Sequence, residues 1–184
     1  HAYSDINPGP LNVAVSSSLN GPWTIHDLGI RPRPTKWYAG ADLVNPAVYT
    51  FPNGTTLLAY RTELGRQSWQ LGVAVGPTPY GPYTQPDIPA FPQHAEDPVI
   101  WRDTRDVFQM LVHNCSGVGP PSPNGLGHFH CLSQSGSAWS TDGLHWTVRG
   151  TQPFSYNVTT TRGDVIACQR REEPKLLLDK PGQP

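Results

Sequence analysis

Two short acidic clusters in this chain each run into a proline. Glu96 and Asp97 precede Pro98, and Glu172 and Glu173 precede Pro174. Two carboxyl groups placed on opposite sides of a glycosidic bond can hydrolyse it. One donates a proton to the leaving oxygen; the other attacks, or activates water. Burial or a neighbouring like charge keeps the donor protonated near neutral pH. Asp97 and Glu172 are the residues assigned to that chemistry. Side chains alternate across a strand, so only one of each adjacent pair faces the same cavity, and the pattern alone does not choose within either pair. The plainer reading is that Asp97 and Glu173 cap strand starts and accept hydrogen bonds from nearby backbone N–H groups. Asn45, Glu96 and Glu173, with Arg61 and His113, complete the expected site as substrate-binding residues.

Acids this far apart meet only if the chain repeats a unit and arranges its copies around a common point. It does repeat. Asn45-Pro46-Ala47-Val48-Tyr49 opens one copy, and Asp97-Pro98-Val99-Ile100-Trp101 opens the next, 52 residues on. Glu173-Pro174-Lys175-Leu176-Leu177 starts another after a longer interval. The register continues past the prolines: Leu58 matches Met110, Tyr60 matches Val112, and Arg61 matches His113. A second set repeats at an offset of 60: Leu11 to Val15 with Leu71 to Val75, and Gly21-Pro22-Trp23-Thr24 with Gly81-Pro82-Tyr83-Thr84. Asn53-Gly54 marks a hairpin turn. Several short strands per unit, recurring at roughly 40–50 residues, describe β-propeller blades. A β-sandwich with similar hairpins is the competing architecture, but sandwiches seldom repeat both halves of a unit in one order.

The expected architecture is all-β, a partial five-bladed β-propeller with four-stranded antiparallel blades. Residues 1–44 end one blade, 45–95 and 96–150 form two complete blades, and 151–184 hold a connecting hairpin and the start of the next. Closed propellers have about four to eight blades, so this is read as a segment of a longer whole. Exposed blade edges invite pairing, so other protein chains covering them are expected partners.

Composition agrees. The chain has 21 Pro, 18 Gly, six Trp and seven Tyr in 184 residues, with 15% charged residues, which suits a turn-rich β protein. The net charge of −1 gives no electrostatic footprint for nucleic acid. No apolar run is long enough for a membrane span. Three Asn-x-Ser/Thr sequons, at Asn53, Asn114 and Asn157, fall at turns or strand ends and point to a secreted, extracellular glycoprotein. Cys115 and Cys131 flank a Gly/Pro/Ser-rich excursion that a disulfide between them would close, leaving Cys168 over; three reduced core cysteines are the alternative.

Three stretches carry a family resemblance: Glu96 to Asp103, Ser140 to Trp146, and Arg170 to Leu176. Together, and in this order, they resemble the five-bladed propellers of glycoside hydrolase family 43 and the wider arabinanase, levansucrase and invertase superfamily. The resemblance implies a carbohydrate partner. It implies that Asp97-Pro98 supplies a carboxylate that orients and tunes the acid, and that Glu172, in Glu172-Glu173-Pro174, is the general acid. It also requires a base Asp, and the first complete blade has Asn45, which has no titratable carboxylate. Two readings stay open: the base lies on a preceding blade, or catalysis is lost and a glycan-binding or structural surface is kept.

The remaining chemistry-bearing residues have plainer readings. His128, His130 and Cys131 are too few for a metal site without further ligands, and neither metal nor cofactor is expected. Trp101 and Trp139, like Trp23 and Tyr83, read as blade core. Arg162-Gly163-Asp164 reads as a hairpin turn.

Overall fold

A computed structural model describes residues 10–33, 43–63, 69–91, 94–114, 134–168 and 171–177. The described residues form strands and turns with no helix. The central blade is β3 (Leu43–Thr50), β4 (Thr56–Glu63) and β5 (Trp69–Gly76), paired antiparallel in that order. Bridges from Val75 to Thr84 and from Leu71 to Phe91 run the following segment along β5 as a rudimentary fourth strand. The next blade is a full four strands: β6 (Ala95–Arg102), β7 (Phe108–Asn114), β8 (Gln134–Ser140) and β9 (Thr147–Val148). Before them stands the pair β1 (Asn12–Val15) and β2 (Thr24–Asp27); after them comes the hairpin β10 (Asn157–Thr159) and β11 (Val165–Ala167).

The repeat read from the sequence holds at the level of single residue pairs in the ladders. Val48 pairs with Leu58 and Ile100 with Met110; Val44 pairs with Arg61 and Glu96 with His113. Val15 faces Thr24 as Val75 faces Thr84. The first hairpin turn is closed by Phe51 N–H to Thr55 O and Gly54 N–H to Phe51 O. The second closes by Asp103 N–H to Val107 O and Asp106 N–H to Asp103 O, and the third by Thr160 N–H to Asp164 O and Gly163 N–H to Thr160 O. Arg162-Gly163-Asp164 therefore is the hairpin turn expected of it.

The strand β4 explains why these sheets stack as blades. Its first five residues, Thr-Leu-Leu-Ala-Tyr, place apolar side chains on both faces. Leu57 and Ala59 join Leu71 and Val73 in a core with Ile100, Phe108, Met110, Val112 and Ala138 of the following blade. Leu58 and Tyr60, with Ala74, turn the other way, onto Leu11, Leu28 and Ile30. A sheet covered on both faces needs a neighbour on each side, which a two-layer sandwich does not give it. Each fully buried Leu, Phe or Met contributes about 1.5–3 kcal/mol. Trp23 departs from its expected core role. It is 53% exposed, whereas its repeat partner Tyr83 is buried, because Tyr83 sits between two sheets and Trp23 stands at the outer piece.

The prolines produce the local feature that matters most. Proline cannot donate to a ladder, so inside a strand it goes with a bulge. Register shifts occur between Val44 and Ala47 in β3, and between Glu96 and Val99 in β6. The residue before each proline takes the left-handed conformation: φ is 53° at Asn45, 52° at Asp97 and 49° at Glu173. Such a position costs about 1–3 kcal/mol in a non-glycine residue, least for Asn and Asp. It also breaks the period-two alternation, so neighbouring side chains are no longer sent to opposite faces.

Candidate functional site

Because of that bulge, Glu96 and Asp97 both have partners in the region where the blades meet, but different ones. Glu96 precedes the kink on β6 and pairs across the ladder with His113 of β7. Its Oε1 lies 3.3 Å from His113 Nδ1, and its Oε2 accepts a 3.0 Å hydrogen bond from Arg61 of β4. Glu172 arrives from the segment 171–177, with Oε1 3.9 Å from the same His113 nitrogen. His113 is fully buried, Arg61 and Glu96 are each 13% exposed in their side chains, and Glu172 is a third exposed. The arrangement runs from a buried imidazole outward to an accessible carboxylate.

Asp97 follows the kink and reaches sideways. Its Oδ1 accepts from the Asn45 side-chain amide of the preceding blade. Its Oδ2 accepts from the backbone N–H of Glu173, at 3.2 Å. Burial, and then the negative charge of Glu96, push the Asp97 carboxyl above the ordinary aspartate value; the Glu173 N–H, the Asn45 amide and His113 oppose that shift. The expectation that Asp97 accepts from a backbone N–H describes this geometry, although the donor is 76 residues away and not a strand-start neighbour.

Two residues that sequence reasoning did not single out adjoin this group. The Arg61 guanidinium lies 4.4 Å above the Trp69 ring at the start of β5, a cation–π contact. His94 packs edge-on against Trp69, with ring centroids 4.8 Å apart. Burial lowers the His94 pKa; Glu96 opposes that and Arg61 adds to it. The available signal was register: Trp69 pairs with Glu63, two residues past Arg61, which puts it on the same face of the blade.

Glu96, His113 and Glu172 each offer one donor atom, and these lie within 4.8 Å of one another. Three ligands at such spacing are the donor set a catalytic divalent ion uses. Arg61 already holds Glu96 and places a positive charge beside the group, which disfavours a cation there. Glu96 is held by Arg61 and His113, whereas Glu172 is a third exposed, so the two carboxylates differ in accessibility.

The other expected residues fall as follows. Asn53 is exposed in the β3–β4 turn and Asn157 is exposed at the start of β10. Asn114 ends β7. Cys115, Cys131, His128 and His130 lie outside the described residues. Cys168 is a free, half-buried thiol. Trp101 and Trp139 lie on the face of the second blade turned away from the central one, where Trp139 is 36% exposed.

No family profile and no curated protein sequence matches the chain. Solved structures do. A thermostable family-43 glycoside hydrolase aligns with a TM-score of 0.58 at 18% identity, over 81% of this chain and 47% of that one. A β-xylosidase aligns at 0.57 and 17%, over 90% of this chain and 55% of that one. A family-43 β-xylosidase/α-arabinofuranosidase from a compost microbial metagenome, in complex with xylotriose, aligns at 0.53 and 18%, over 79% and 50%. The chain thus has the fold of family 43 propellers and spans about half the length of these structures. The expectation of a partial propeller of that type is met.

Proposed function

We propose that the chain is part of a carbohydrate-active propeller in which Glu172 is the proton donor for glycosidic bond cleavage. The observation that carries this reading is the meeting of Glu172, from the segment 171–177, with His113 and Glu96 of the second blade. Glu172 is the accessible member, as a group that must reach a leaving oxygen has to be. Glu96, Arg61 and His113 form the buried frame behind it, and Asp97 fixes the peptide unit that carries it. Trp69, with Arg61 stacked on it, offers an aromatic and hydrogen-bonding wall of the kind that binds sugars. The carboxylate on the opposite side of the sugar is then an acid other than Glu96. Neutral pentose-based oligosaccharides are the first substrates to try, since structural neighbours include a β-xylosidase and a β-xylosidase/α-arabinofuranosidase.

Asn45 supports a second reading. At the pre-proline position of its blade it brings an amide and not a carboxylate, and that amide is committed to Asp97. A propeller that binds glycan without cleaving it would show the same geometry. The deciding experiment measures both turnover and calorimetric binding of xylo- and arabino-oligosaccharides by the full-length protein. Cleavage supports the hydrolase, binding without cleavage supports the second reading, and neither across a broad glycan panel contradicts both.

An extracellular setting belongs to the same proposal. Asn53 and Asn157 are exposed on turn and strand-end backbone, where a glycan can be carried. Endoglycosidase treatment of protein from a secretory host reads out occupancy at these sites and at Asn114. Protein partners at the blade edges are tested by the oligomeric state in solution.

A further inference from the structure

Three consecutive copies of the repeat place a non-glycine residue in the left-handed conformation immediately before proline: Asn45, Asp97 and Glu173. A conformation so rarely adopted, recurring at one repeat position, is held because the surroundings require it. What it achieves is visible in the hydrogen bonds. Turned out of the strand alternation, the Asn45 amide crosses to Asp97 Oδ1 of the next blade, and the other oxygen of Asp97 takes the Glu173 N–H of the segment beyond. That N–H belongs to the peptide unit joining Glu172 to Glu173. Whatever fixes Asp97 therefore fixes the backbone from which the Glu172 side chain extends toward His113.

We infer that Asn45 is a positioning residue: through Asp97 it holds the Glu172–Glu173 peptide unit, and so sets where the Glu172 carboxylate stands. Its side-chain type follows from the task. Asp97 is an acceptor on both oxygens, so the residue facing it must donate, and an amide donates without adding charge. An aspartate there would bring two carboxylates into contact beside Glu96 and Glu172, a fourth acid in a group where Arg61 is the cation bound to Glu96. On this account the amide at position 45 is the neutral end of a relay that runs through Asp97 of the next blade to the segment 171–177. The inference bears on turnover only through the proposed role of Glu172, but the geometric claim stands on its own measurement.

That measurement follows the Glu173 amide by NMR in the isotopically labelled full-length protein, in wild type, Asn45→Gly and Asn45→Asp. Glycine accepts the left-handed backbone without strain and removes the amide; aspartate keeps the shape and exchanges donor for acceptor. Expected for Asn45→Gly is a shifted Glu173 amide resonance and about tenfold or more faster hydrogen exchange there, with the amides of β4 and β5 protected as in wild type. Asn45→Asp should resemble wild type in acid, where the two acids share a proton, and depart from it as that proton is lost. An unchanged Glu173 amide in Asn45→Gly, with the β4–β5 core intact, overturns the inference, as does a pH-independent Asn45→Asp spectrum. The amide readout decides this point whatever turnover shows; loss of the Glu172 role with a responsive Glu173 amide overturns the proposed function alone.

Discussion

The Asn45 side-chain amide donates to the Asp97 carboxylate across 52 residues of sequence, and both residues stand at the same left-handed, pre-proline position of adjacent blades. A hydrogen bond of this kind ties blade to blade at the point where the candidate acids gather. It makes the stability of the inner strands and the placement of the site one problem.

Removing the carboxylate should therefore show in stability. Asp97→Ala takes the acceptor from the Asn45 amide and the Glu173 N–H, both in part-buried hydrogen bonds, and each lost bond is worth about 0.5–1.5 kcal/mol. Alanine also tolerates the left-handed backbone less well than aspartate. Urea unfolding is expected to show a lower midpoint at unchanged slope, with Asp97→Asn losing less.

Arg61 and Glu96 form a pair with little exposure, backed by His113 and Trp69. Arg61→Met removes the guanidinium from a Glu96 that keeps its contact with His113, so the loss should fall below the about 3–5 kcal/mol of a fully uncompensated buried charge. The double variant Arg61→Met with Glu96→Gln should recover part of that loss. A thermal unfolding cycle over the four proteins measures the recovery.

The turn after β8 rests on a glycine. Gly143 has φ +79°, and a Cβ there would overlap Leu57 Cδ1 in the inter-blade core. Gly143→Ala therefore meets both backbone strain and a clash, and about 1–3 kcal/mol of destabilisation is expected in the same unfolding assay.

The pH dependence of stability has two opposing parts. Hydrogen bonds from Arg31, then from the Gly29 N–H, lower the Asp27 pKa to about 2. Burial raises the Asp142 pKa, but the backbone and ring N–H of His145, the Leu144 N–H and the Ser140 hydroxyl outweigh it and hold the group well below the aspartate range. These acids are more acidic folded than unfolded, so their contribution is present above the unfolded value of about 3.9 and is lost as pH falls toward the folded one. Asp97 is shifted upward, so it has the opposite sign: the folded state binds its proton more tightly, and stability from this group falls as pH rises from the unfolded to the folded value. Asp27→Asn should flatten the acid limb by less than about 1 kcal/mol, since that pair is exposed. Asp97→Asn should remove the opposing slope. Denaturant midpoints measured from pH 2 to 7 resolve the two.

The architecture was legible because its determinants are local and recur. The offset of 52 between Asn45 and Asp97 already aligned Leu58 with Met110 and Arg61 with His113, and those residues hold equivalent ladder positions. The division of labour between Glu96 and Asp97 was not legible. Strict alternation allows one inward residue per pair, and it fails here because Pro98 imposes a bulge and Asp97 takes a positive φ. A proline inside a strand was the available warning. Trp69 and His94 were missed because the stack of Arg61 on Trp69 and the edge-on packing of His94 against Trp69 depend on how β4, β5 and the residues before β6 lie together, which no repeat in the sequence encodes.

The central claim, that Glu172 protonates a leaving group, is tested most directly by the leaving-group dependence of Glu172→Gln. With an unactivated oligosaccharide, loss of the acid is expected to cost about 10²–10⁴ in rate. With a dinitrophenyl glycoside, whose leaving group needs no proton, the same variant should retain most of the wild-type rate. Equal losses on both substrates, or no loss on either, would contradict the assignment.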